Sequence, residues 1–141
     1  MFEELTAFLP KLQDKNYGEW IVGKENDGTP EHPIQFPFVA YNRIVEDFMD
    51  AAYAFIDAHK EMELTRYHDI LSESNIEWDS ESMKNADVAS LDGRTIMALI
   101  VGAIRADRFC EGALLGFFED GSMFKLLNRL KAIDEKQLEK G

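Results

Sequence analysis

The sequence predicts a mainly α fold, α+β at most: a compact bundle of about five or six helices around a central apolar helix, with a small N-terminal β-ribbon. Three observations predict it. The first is the run Ile96-Met97-Ala98-Leu99-Ile100-Val101-Gly102-Ala103-Ile104, which has no polar face. A helix that is apolar all round must be covered on most sides, so it belongs at the centre. The second is a series of segments with apolar residues at i, i+3, i+4 spacing along the rest of the chain. The third is a pair of short alternating segments near the N-terminus, separated by turn formers.

The elements follow in order. Residues 2–13 place Phe2, Leu5, Phe8, Leu9 and Leu12 on one helical face, and Pro10 is expected to end or kink that helix. Residues 17–22 and 34–41 read as strands, with Ile34, Phe36 and Phe38 alternating to one side. Pro37 confines the second strand to an edge or a bulge. The stretch Gly23–Pro33 between them is rich in turn formers. A two-stranded ribbon is marginal alone, so it must lie on the helices.

Asn42 is placed to cap a helix running to about His59, with Glu46 and Asp47 in its early turns. Thr65 is placed to cap a shorter helix that buries Tyr67, Ile70 and Leu71, and Asp79 or Ser80 to start one more turn containing Met83. The central helix starts near Asp92. A helix around 110–119 contains Leu114, Leu115, Phe117 and Phe118. Gly121 breaks it, and Ser122 caps a last helix that buries Met123, Leu126, Leu127, Leu130 and Ile133. The polar tail, 134–141, is expected to fray.

Composition narrows the function classes. A chain of 141 residues suits one domain, 1–141. With 45% hydrophobic and 30% charged residues, a folded soluble protein is expected. The longest apolar run falls short of the ~20 residues that a bilayer requires, so no membrane association is expected. The first residues are acidic where a signal peptide is basic, and neither end carries a lipidation signal. The single cysteine, Cys110, forms no internal disulfide and no thiolate-rich zinc site. A reducing cytoplasm is the compartment this implies.

The net charge is −12, and its distribution is uneven. Residues 1–60 carry 11 acids and 5 bases, residues 61–90 carry 8 and 2, and residues 91–141 carry 8 of each. All the excess negative charge therefore lies in the first 90 residues. That field repels phosphate backbones and argues against nucleic-acid binding. It suits a basic protein partner, but acidic surfaces commonly serve solubility, and that is the favoured reading of the charge.

Few motifs carry chemistry. No Gly-x-x-x-x-Gly-Lys-Ser/Thr, Gly-x-Gly-x-x-Gly, His-Glu-x-x-His or Gly-x-Ser-x-Gly occurs, so no catalytic residue, cofactor or metal is expected. His32, His59 and His68 lack ligand spacing, although His59 and Glu63 are four apart. Cys110 has no sequence-evident base and reads as a small buried hydrophobe. The aromatics of the first 55 residues read as core before they read as a pocket lining. Gly102, Gly112 and Gly116 call for close helix packing or a helix end.

One constellation stands out as a candidate anion site: Arg94, Arg105 and Arg108 with Glu111. At about 100° per residue the three arginines fall within roughly 60° of one another on the central helix, with Ala98 and Val101 between them. Such a stripe can hold a carboxylate or phosphate bidentately. The competing reading pairs Arg108 with Glu111 as a buried structural ion pair and the others with acidic neighbours.

The pieces Gly18-Glu19-Trp20, Phe36-Pro37-Phe38, Leu127-x-x-Leu130 and, most specifically, the Arg-x-x-Arg-Phe-x-Glu-Gly stretch Arg105–Gly112 resemble a family of small uncharacterised prokaryotic proteins. The resemblance runs from about Phe2 to Ile133. It implies a prokaryotic, cytosolic protein and supplies no activity and no catalytic residues. Two function classes remain: a non-enzymatic interaction module, and a binder or enzyme for a small anionic ligand.

Overall fold

The apolar run is the buried axis of the molecule. The computed structural model describes residues 1–14, 16–22, 28–30 and 37–140. In it, helix α5 spans Gly93–Ala106, and every residue from Thr95 to Ile104 is buried. Asp92 starts the helix as its N-cap, accepting from the Thr95 N–H at 2.9 Å.

The other elements cover that axis. Helix α1 (Glu3–Thr6) is followed by a 3₁₀ segment, Leu9–Asp14. Pro10 explains the change, because an α-helix continued through it would lose a hydrogen bond and meet the ring. Strands β1 (Gly18–Ile21) and β2 (Phe38–Tyr41) pair antiparallel, with Gly18 opposite Tyr41 and Trp20 opposite Val39. The expected strand residues Ile34 and Phe36, and also His32, lie outside the described residues. Helix α2 (Arg43–Ala58) is capped by Asn42, whose Oδ1 accepts from the Ile44 N–H at 3.1 Å.

Helices α3 (Tyr67–Glu73) and α4 (Ser80–Lys84) come next. Thr65 does not cap α3. It lies in a 3₁₀ turn, Leu64–Arg66, which sinks Leu64 into the core and leaves Arg66 at the N-cap position. Asp79 caps α4 through Ser82, as its sequence position predicts. Helix α6 covers Ala113–Glu119 and α7 covers Ser122–Lys140. Gly121 takes φ +83° at the break between them. Ser122 is the first residue of α7 rather than its cap, and its N–H donates to Asp120 Oδ1 at 2.9 Å.

Packing joins these pieces into one core. Rings of Phe8, Phe48, Phe118 and Tyr17 contact in sequence at 5.2–5.6 Å, linking the N-terminal segment, α2 and α6. Phe2 stacks on Phe55 at 5.4 Å, and its N–H donates to Asp134 of α7 at 2.8 Å. An added Cβ at Gly102 would meet Trp78, Leu71 and Met83 at 3.4–3.5 Å, ordinary contact distance, so the packing there does not itself demand glycine. No helix among the described residues is long and apolar enough to cross a membrane.

Candidate functional site

The connection between α5 and α6 holds the chain's most specific sequence stretch and is tied to β2 by two long-range hydrogen bonds. The helix runs out at Ala106, and the Phe109 and Cys110 N–H groups close the turn on the Ala106 carbonyl at 3.0 and 2.9 Å. Asp107 then does the organising. Its Oδ1 accepts from the Gly112 N–H at 3.1 Å, the Leu114 N–H at 3.1 Å and the Tyr41 hydroxyl at 2.8 Å. The Tyr41 oxygen in turn accepts from the Leu115 N–H at 3.1 Å. The first N–H groups of a helix have no partner within it, and here a carboxylate and a phenol supply partners for two of them. Burial and the bond to Asp107 push the Tyr41 hydroxyl above the ordinary tyrosine range, so it remains a donor.

Two further contacts fasten the ribbon to this loop. Glu111 Oε1 accepts from the Val39 N–H of β2 at 2.8 Å. Gly112 adopts φ +89°, and a Cβ there would collide with the Trp20 ring of β1. Thus Asp107, Glu111 and Gly112 of the Arg-x-x-Arg-Phe-x-Glu-Gly stretch do structural work.

Residues 108–110 of that stretch face outward. Phe109 is 78% exposed, and Arg108 and Cys110 are exposed beside it. The expectation of a buried Cys110 is therefore wrong: the turn that closes on Ala106 puts positions 108–110 on the outside. Phe109 meets the edge of Trp78 at 5.6 Å, and Trp20, itself 49% exposed, lies against Gly112. Both tryptophans of the chain thus touch this one loop. Trp20 and Phe38 also depart from the core role expected of the early aromatics, since both are exposed.

The four candidate anion-binding residues are placed as follows. Arg94 donates through Nε to the Met62 carbonyl at 2.8 Å and lies 3.9 Å from a Glu73 oxygen. Arg105 lies over the Tyr53 ring, 5.9 Å from its centroid. Arg94 and Arg105 stand at opposite ends of α5, about 16 Å of helical rise apart. Arg108 falls beyond the end of the helix, so the stripe inferred from helical periodicity does not reach it. Arg108 and Glu111 are both exposed and form no ion pair, so the buried pair is not found; Glu111 serves Val39 instead.

Trp78 occupies the other side of Phe109. Helix α3 ends in a Schellman-type turn: Asn75 takes φ +60°, the Asn75 N–H bonds Ser72 O at 3.0 Å, and the Ile76 N–H reaches back to Leu71 O at 2.9 Å. That turn buries Ile76 and carries Glu77, Trp78 and Asp79 across the face of α5. The indole N–H donates to the Gly102 carbonyl at 3.0 Å, and the rings of Tyr67 and His68 meet Trp78 edge-on at 5.4 and 5.9 Å. An open depression of about 520 Å³ adjoins the ring, lined by His68, Ser72, Asn75, Glu77, Trp78 and Asp79. Among the described residues, no three His, Cys, Asp or Glu side chains converge as metal ligands.

Sequence reasoning missed Tyr41, Asp107, Phe109 and Trp78 as members of this surface. Asp107 and Phe109 lay inside the stretch singled out, but Tyr41 reaches them from 66 residues away, and no local pattern signals that.

Fold and surface together define a mainly helical, acidic protein whose short β-ribbon is fastened to an interhelical loop. Residues 1–136 match the model of a family of unknown function (DUF6508), and the chain belongs to that family. No curated protein and no solved structure matches it.

Proposed function

We propose that the protein is a non-enzymatic interaction module whose partner-binding face centres on the 107–112 loop. The observation that carries this reading is Phe109, a large apolar side chain left 78% exposed on a loop that is otherwise held by hydrogen bonds from both sides. A fixed backbone offering an exposed ring loses little conformational freedom on binding. Trp and Arg, residue types enriched at binding hot spots, adjoin it: Trp78 contacts the ring, and Arg108 is exposed next to it in the chain. The charge of −12 favours a basic partner by steering it at long range. Affinity capture with wild type and Phe109→Ala, at low and high salt, tests the reading. A stoichiometric partner held by wild type and lost by a normally folded Phe109→Ala is the expected result. Equal capture by both removes the loop from the interface.

A second reading keeps Arg105 and Arg108 for an anionic ligand. It is favoured by one observation: among the described residues, Arg108 has no carboxylate within ion-pair distance. Titration with inorganic phosphate separates the two, since only this reading requires saturable binding that Arg108→Ala removes.

A further inference from the structure

We propose that the depression beside Trp78 receives an arginine side chain of a basic protein partner, with the guanidinium against the indole and facing the adjacent carboxylates of Glu77 and Asp79. This rests on the interaction-module reading and adds the partner's chemistry.

Three features argue for it. First, the depression is lined by the Trp78 ring and the carboxylates of Glu77 and Asp79, and Trp78 also contacts the exposed Phe109. A cation over a Trp face is attracted by the ring quadrupole, and carboxylates accept the guanidinium fork in its plane. Second, the negative charge there lacks a cation of its own. Neighbouring Asp69 and Glu73 have Arg66 and Arg94 within ion-pair distance, at 3.2 and 3.9 Å. Among the described residues no Lys or Arg stands that close to Glu77 or Asp79. Third, the walls are fixed in advance. Asp79 Oδ1 and Oδ2 accept from the Ser82 N–H and hydroxyl at 2.7 and 3.0 Å, which hold its carboxyl below the ordinary carboxylate range. The Trp78 indole is pinned to Gly102 at 3.0 Å. Glu77 is exposed and carries no capping duty, so it is the adaptable member.

Arginine fits better than lysine. A planar guanidinium can stack on the indole and offer N–H groups sideways at once, whereas an ammonium presents a single hydrated point charge. The chain's charge of −12 brings such a segment in, and the contact with Phe109 gives it an apolar anchor.

The test uses the full chain carrying Trp20→Phe, which leaves Trp78 as its one tryptophan, and a blocked Gly-Arg-Gly-Arg-Gly peptide. Saturable change in Trp78 emission is expected, absent with the Glu-substituted peptide. Glu77→Gln should weaken binding about tenfold. Asp50→Asn, which removes the same charge from the exposed face of α2, should change it less than twofold. Equal weakening by both variants, or no saturation, overturns the proposal. Loss of peptide binding with partner capture still abolished by Phe109→Ala leaves the module reading standing. Peptide binding at Trp78 with capture indifferent to Phe109→Ala rejects the loop-centred module instead.

Discussion

The Tyr41 hydroxyl stands 2.8 Å from Asp107 Oδ1 and 3.1 Å from the Leu115 N–H, so one phenol joins β2, the end of α5 and the start of α6. It donates to the carboxylate and accepts from the amide. Tyr41→Phe leaves the carboxylate one donor short and the amide without an acceptor. The expected loss is about 1–3 kcal/mol, the cost of stranding buried polar groups. Chemical denaturation checks it, and a midpoint equal to wild type would mean that water replaces the phenol without penalty.

Gly112→Ala should destabilise by about 1–3 kcal/mol, because φ +89° strains any residue with a Cβ and the Trp20 ring blocks the space. Displacement of Trp20 should red-shift its emission. An unshifted spectrum with full stability would show that the loop relaxes to negative φ.

Arg108→Ala should change stability by less than about 0.5 kcal/mol, since the side chain is exposed and unpaired among the described residues. Glu111→Ala should cost more, because the Val39 N–H then loses its acceptor. The double-mutant coupling between them should be near zero. A coupling above about 1 kcal/mol would restore the ion pair that the geometry denies.

Ile100→Ala should cost about 2–5 kcal/mol, as its side chain has no exposure and a cavity would remain. Amide exchange should be slowest in Leu99–Ile104, the segment that opens only with the whole molecule. Faster exchange there than in 43–58 would place the core elsewhere.

Acid should unfold the protein partly through its helix-start carboxyls. Burial raises the Asp92 carboxyl, but the Thr95 hydrogen bonds and the Arg94 charge outweigh it and hold it below the ordinary range. Asp120 is likewise raised by burial and lowered further by Lys84, at 2.7 Å, and by Ser122. A depressed folded pKa stabilises fully above the unfolded value of about 3.9 and less as pH falls through the folded value. Thermal midpoints should therefore drop below about pH 4. Asp92→Asn keeps a good cap and should flatten that drop. An unchanged acid slope would assign the effect to other groups.

Where a signal lay within one turn of helix, the sequence was legible. Asn42 caps as its position predicts, Asp79 is the one of its two candidates that starts α4, α5 starts beside Asp92, Gly121 breaks the chain, and Ile96–Ile104 is buried throughout. The ribbon was legible in its place, since β1 and β2 fall within the predicted 17–22 and 34–41, while the alternating Ile34 and Phe36 lie outside the described residues. The site was not. The arginine stripe assumed that α5 continues through Arg108, whereas Asp107 stops it by turning its side chain to Gly112 and Leu114. Thr65 lost its cap role to the burial of Leu64, and Cys110 its core role to the direction of that same turn. The Asp107 and Cys110 outcomes turn on side-chain and turn contacts four to seven residues apart that follow no helical period, and Tyr41 joins them from 66 residues away.

The Glu111–Val39 bond has a consequence for association. The Asn42 N–H pairs with Tyr17 O at 2.9 Å, and the antiparallel alternation from that pair turns the Val39 N–H away from β1, toward the side of β2 that pairs with no strand among the described residues. An unsatisfied strand edge is a template onto which another chain can add itself, the first step toward aggregation. Glu111 fills that donor with a carboxylate and sets a negative charge where an incoming backbone would dock. One side chain thus guards, among the described residues, an unpaired β2 edge against strand addition.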